Sequence, residues 1–126
     1  MASKLQTQIL QYLKSIGWAT NIIHADNGTP DILGCYRGRL FAIEVKEGTG
    51  RLSPGQVIQL EKIMQQDGYA LVARRMLQVV QLIDIIQCNH CNPMSLWDEQ
   101  DRKRYEKERS KMSPEERQQK MEFETS

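Results

Sequence analysis

The stretch from Gly28 to Lys46, GTPDILGCYRGRLFAIEVK, constrains this chain most, because it sets ionisable residues where apolar ones are expected. It reads as two β-strands joined at Arg37-Gly38. Strand side chains alternate, so Phe41, Ile43 and Val45 share one face of the second strand, and Leu40, Ala42, Glu44 and Lys46 share the other. Pro30 cannot donate to a sheet ladder but is tolerated at a strand start. Asp31 follows it directly, and hairpin pairing then carries the Asp31 carboxylate toward Glu44. Two carboxylates and an ammonium converge.

Carboxylates that share a site repel each other unless a cation lies between them. A small oxygen-donor set of this kind suits Mg²⁺ or Mn²⁺, hard ions that keep several waters for a phosphate to replace. The spacing therefore admits a metal-dependent phosphodiesterase site. Asp31 and Glu44 are its metal ligands, the Val45 backbone carbonyl is a third, and Lys46 orients water or offsets charge on the phosphate. The same spacing also fits a surface strand on which Glu44 and Lys46 merely flank one another.

Pro30-Asp31 followed by Glu44-Val45-Lys46 resembles the signature of the PD-(D/E)xK nuclease superfamily. The continuation from Lys46 to Gln56, KEGTGRLSPGQ, resembles the VRR-NUC (virus-type replication-repair nuclease) branch, in which a glycine-bearing loop and a Ser-Pro-x-Gln helix start follow the lysine. The resemblance runs from the opening helix to about Ile86. It implies a restriction-endonuclease-like α/β core with a central mixed sheet flanked by helices, and a catalytic set of Asp31, Glu44, Lys46 and Gln56. It further implies Mg²⁺- or Mn²⁺-dependent hydrolysis of DNA, with branched DNA such as Holliday junctions as substrate. Stand-alone viral-type members make a phage-encoded protein in a bacterial host an expectation as well. One departure stands out: the first helix often carries a glutamate in the superfamily, and here it has no acidic residue, only Gln6 and Gln8 as neutral substitutes.

The rest of the chain frames that centre. Its 126 residues, 40% hydrophobic and 26% charged, suffice for one compact core. A net charge of +1 excludes a uniformly basic body, so any DNA contact is a local patch. No apolar run is long enough to span a bilayer, and three cysteines without a secretion signal fit reduced thiols in an intracellular protein. Ser3-Lys4-Leu5-Gln6 has the form of a capping box opening a helix that stops at Gly17. Thr20 to His24 reads as a strand, and His24 is a phosphate contact or simply an edge residue. Ser53, Pro54 and Gln56 fit N-cap, N1 and N3 of a second helix. Tyr69 to Ala73 reads as an inner strand. Arg51, Arg37, Arg74 and Arg75 are candidate DNA contacts, each of which also reads as a solvated charge.

Met76 to Ile86 predicts a third helix apolar over more than one face, which makes it the candidate surface for a homodimer; a four-way junction has two equivalent scissile strands, and each chain carries one cluster. Cys88, His90 and Cys91 form half a zinc site at most. The expected division is a nuclease domain over residues 1–92 and a charged helical tail over 93–126, solvated and lightly anchored, with Ser113-Pro114 capping a last helical segment. Two rival readings stand beside the nuclease: a DNA-binding module with a decayed site, and a nuclease subunit of a larger replication or recombination complex.

Overall fold

The computed structural model describes residues 3–23, 28–88 and 93–112. Helix α1 (Lys4–Ile16) begins where Ser3 Oγ accepts from the Gln6 N–H, and ends where Gly17 N donates to Leu13 O. It buries Ile9 and Leu13 against the sheet. Strand β1 (Trp18–Asn21) follows at once, so it starts two residues before the expected Thr20 and ends before His24, which lies outside the described residues.

Strands β2 (Ile32–Tyr36) and β3 (Arg39–Val45) form the expected hairpin, with Tyr36 opposite Arg39. Arg37 and Gly38 both take positive φ, 51° and 80°, which is what a two-residue turn matching the right-handed strand twist requires. Gly34 faces Phe41 across this ladder. A Cβ at Gly34 would lie 2.2 Å from the Phe41 ring, so only glycine lets that ring lie flat on β2.

Helix α2 (Pro54–Gln65) carries the chain from β3 to the parallel strand β4 (Tyr69–Ala73), completing a mixed sheet of order β1-β2-β3-β4. This is the predicted α/β architecture. Parallel strands need a crossover of this length, and a βαβ unit brings the C-terminal ends of β3 and β4 side by side. Lys46 N donates to Ala73 O there, at 3.0 Å.

Helix α3 (Met76–Gln87) packs on β4 and α1, and a short 3-10 helix (Pro93–Leu96) covers it further. Its surplus of apolar faces is thereby used inside the protomer. Ile83, expected at a dimer surface, is 5% exposed, and only Leu77 stands well out at 61%.

The segment from Pro93 onward departs from expectation: up to Met112 it is part of the core. β4, expected from its apolar run to be an inner strand, is the edge of the sheet; it is buried all the same because later segments cover it, and its outward carbonyls need donors. Trp97 Nε1 supplies one to Ala70 O at 3.1 Å, and Gln78 Nε2, which also bonds Leu96 O, lies 3.5 Å from Val72 O. Helix α4 (Glu99–Ser110) then buries Asp101, Tyr105 and Glu108 on one stripe, with Tyr105 packed edge-on to Trp97 at 5.4 Å. A tail rich in charge is anchored because its few large apolar residues fall on that stripe. Ser113-Pro114 lies outside the described residues.

Candidate active site

Three elements meet at Glu44. Register places Ile32 opposite Ile43, so the residue before β2, Asp31, comes beside Glu44 on β3. Asp31 is fixed on both sides: its carbonyl accepts from Ile22 N, and its Oδ2 accepts from Val45 N at 2.8 Å. The third element is the start of α2. Gly28, with φ 91°, approaches so closely that a Cβ there would sit 2.5 Å from the Gly55 backbone. That contact seats the Pro30-Asp31 segment against the first turn of α2, and the sequence alone gave no sign of it.

The α2 capping box orients Gln56. Ser53 Oγ accepts from Gln56 N, and Gln56 Oε1 accepts from Ser53 N at 2.9 Å. With its oxygen held, the Gln56 amide turns its NH₂ to Glu44 Oε1, 3.0 Å away. Lys46 Nζ stands 3.9 Å from the same oxygen. The other Glu44 oxygen, Oε2, is buried with no hydrogen-bond partner.

This carboxyl is under stress from several directions. Burial, followed by the charge of Asp31 and its contact, raises the Glu44 pKa from 4.5 to about 8, and the Lys46 ammonium offsets only part of that. A buried acceptor without a donor is costly, and two adjacent carboxylates make it more so. A cation fits here. The donors at hand are two carboxylates and backbone oxygens, hard ligands of the kind Mg²⁺ or Mn²⁺ takes; no group of three or more His, Cys, Asp or Glu that could hold a metal is found among the described residues. Cys88 is a free, exposed thiol, and the remainder of the candidate zinc half-site lies outside the described residues.

The structure thus brings Asp31, Val45, Glu44, Lys46 and Gln56 together. It does not bring the four arginines with them. Arg37 sits at the hairpin tip over Tyr36, beyond the Arg39 end of β3, and the five residue steps from Arg39 to Glu44 alone span roughly 17 Å at the usual rise per residue. Arg74 grips both Asp101 oxygens and donates to the carbonyls of Gly48 and Gly50, so it clamps a loop rather than presenting itself to a phosphate. Arg75 pairs with both oxygens of Asp98. Arg51 is exposed on the loop that follows Lys46. Of the α1 glutamines, Gln6 donates to Asn21 Oδ1 and Gln8 is exposed.

No protein-family model matches the chain, and no curated relative does. Among the solved structures that are similar is one titled "VRR_NUC domain", with 22% identity and a TM-score of 0.55, over 64% of this chain and 91% of that one. The fold is that of a VRR-NUC domain. Within it, the strand pair and helix start that carry Asp31, Glu44, Lys46 and Gln56 form one contiguous polar site at the C-terminal ends of the parallel strands, where open α/β sheets bind their ligands.

Proposed function

We propose that this VRR-NUC-type domain is a metal-dependent nuclease that hydrolyses phosphodiester bonds in DNA. The observation that carries the reading is the buried, partnerless Glu44 Oε2 beside the Asp31 carboxylate, a pair of like charges that only a cation or a proton reconciles. Asp31, Glu44 and the Val45 carbonyl would hold Mg²⁺ or Mn²⁺. When bound, such an ion offsets charge building on a phosphodiester under attack and makes nearby water more acidic.

The chain's own residues do the rest. Gln56 fixes one Glu44 oxygen and thereby aims the other. Lys46 directs its ammonium into the same space, where it orients the attacking water and opposes charge on the phosphate. The N-terminus of α2, pointing at the cluster through Gln56, favours an anion. A Glu44 carboxyl that holds its proton near neutrality must lose it to solvent in order to bind the cation, so ion binding would strengthen as pH rises.

The finer reading takes branched DNA such as four-way junctions as substrate and a homodimer as the working unit, with replication or recombination proteins as further partners. The dimer would use a surface other than Ile83, which the protomer buries. One observation favours the rival of a DNA-binding module without activity: α1 contributes no carboxylate, and its Gln6 amide is engaged with Asn21. Incubating the protein with supercoiled plasmid, linear duplex and a four-way junction, each with Mg²⁺, Mn²⁺ or EDTA, tests these together. Metal-dependent cutting that prefers the junction is expected; binding with no cutting in either metal would favour the rival.

A further inference from the structure

Helix α4 sorts its charges by face. Asp101, Tyr105 and Glu108 form the buried stripe. Beside it, Gln100, Lys103, Arg104 and Lys107 line one wall of an open cleft of about 350 Å³, whose other wall is Arg51 and Arg74 of the loop and strand end opposite. The lining holds five cations and one carboxylate, Asp101, which Arg74 already binds. In sequence the segment is nearly neutral; in the fold, apart from Asp101, its acids do not line the cleft, though two of them pair with lining cations. Asp98 pairs with Arg75, and buried Glu108 with Arg104 and Lys111. Glu99 meets Lys103 only in a solvent-exposed i,i+4 contact, which holds the lysine weakly. Glu106 is exposed but does not line the cleft.

The walls are held in place by hydrogen bonds between them. Arg74 ties the carbonyls of Gly48 and Gly50 to α4 through Asp101, and Arg104 Nε donates to Leu52 O at 3.0 Å. Arg51 and Lys107 make no ion pair among the described residues. The cleft also adjoins the candidate active site: Lys46 and Arg74 end neighbouring parallel strands, and the loop from Glu47 to Leu52 separates cluster from cleft. Cations set along an open cleft, one loop away from the proposed phosphodiester-cleaving centre, match a polyanionic strand better than a small enclosed anion.

We propose that this cleft seats the phosphate backbone of the DNA strand flanking the cleaved bond, with Lys103, Lys107 and Arg51 as its contacts. The assignment rests on the nuclease reading. Lys103 and Lys107, one helical turn apart on the exposed face, can be removed without touching the core. Anisotropy titrations of labelled duplex DNA in EDTA, across a KCl series, compare wild type, Lys103→Ala/Lys107→Ala and the charge-matched control Lys4→Ala/Lys14→Ala on α1. The cleft variant is expected to bind about tenfold more weakly at moderate salt, with the slope of log affinity on log salt reduced by about two, while the control matches wild type. Cleavage in Mg²⁺ should show a raised KM with kcat retained. If the cleft variant keeps wild-type affinity and slope while wild type still cuts DNA, the cleft assignment fails and the nuclease reading survives. If wild type neither binds nor cuts DNA, both fail. Tighter binding of an RNA duplex than of DNA at equal salt would overturn the choice of DNA.

Discussion

Two acidic side chains lie equally deep in this fold, Glu44 at 3% exposure and Asp101 at 2%, and their surroundings could hardly differ more. Asp101 gives both oxygens to one guanidinium, at 2.8 and 2.9 Å, and that guanidinium finds further acceptors in Gly48 and Gly50. Every charge there has an answer within the chain. Glu44 faces a second carboxylate, shares one oxygen between Gln56 and a lysine 3.9 Å off, and leaves the other without a partner. A buried charge that is fully answered joins pieces of structure; one left unanswered is poised for a ligand. Depth of burial alone does not tell the two apart.

The largest effect should come from removing charge at the unanswered site. Glu44→Gln and Asp31→Asn keep the shape of the cluster, so each is expected to cut Mg²⁺-dependent cleavage by about a thousandfold or more, roughly 4 kcal/mol of transition-state stabilisation, with the fold intact. Steady-state cleavage assays alongside circular dichroism check this. Either variant retaining near wild-type turnover would take its carboxylate out of the mechanism. Lys46→Ala should approach the same loss, since its ammonium serves the same centre.

Next in size is a pH effect on stability. Glu44 titrates near 8 in the fold, against about 4.5 in an unfolded chain. The folded state therefore binds the extra proton between these values, and stability present at pH 4.5 is lost as pH rises toward 8, by an amount of order a few kcal/mol. Thermal melts in EDTA should give a lower Tm at pH 8 than at pH 5. Glu44→Gln should flatten that slope, and Mg²⁺ at pH 8 should restore part of the lost Tm in wild type by binding the native state. Asp98 does not confuse the window, because Arg75 holds its carboxyl below the ordinary 3.8. A wild-type Tm that is flat across the range would mean that Asp31 and Glu44 are not in conflict.

The answered site should respond in the opposite sense. Arg74→Ala leaves Asp101 buried without a partner and frees two loop carbonyls, so it is expected to destabilise by about 3 kcal/mol in urea unfolding. The pair Arg74→Met/Asp101→Leu removes both charges together and should recover much of that loss. A cost for Arg74→Ala no larger than that of an exposed-charge deletion would erase the contrast between the two sites.

The sequence made one of these sites far easier to read than the other. Asp31, Glu44, Lys46 and Gln56 lie within 26 consecutive residues, in local patterns whose spacing forces their side chains to meet across one hairpin and one helix start. The hairpin turn and the α2 cap followed from equally local signals; Tyr69–Ala73, apolar enough to read as an inner strand, is instead the sheet edge, covered by Trp97 and Gln78. The Arg74–Asp101 clamp joins residues 27 apart through α4, and nothing in local spacing announces such a pair. Arg74-Arg75 therefore resembled an ordinary charged strand end. Residues 93–112 resembled a solvated tail because charge is dense there, yet Trp97, Asp101, Tyr105, Glu108 and Met112 recur every three or four residues, the period of a buried helical stripe. Counting apolar residues hid it, since two of the five are acids.

The smallest effect separates the structural duty of Gln56 from the catalytic one we propose: its oxygen caps α2 while its NH₂ reaches Glu44. Ser53→Ala deletes the hydroxyl that accepts from Gln56 N but leaves the Ser53 backbone N–H that holds the Gln56 oxygen. That variant should lose ~1 kcal/mol of stability, the usual worth of an N-cap. Its cleavage rate should stay near wild type, because the amide remains aimed at the carboxylate. Gln56→Ala removes the reciprocal half of the box and the donor to Glu44 together, so it is expected to cost a similar ~1 kcal/mol and, in addition, about tenfold in kcat. Urea unfolding and single-turnover cleavage on the two variants give four numbers. Equal rate losses in both would mean that the cap, and not the contact with Glu44, is what catalysis needs from this helix start.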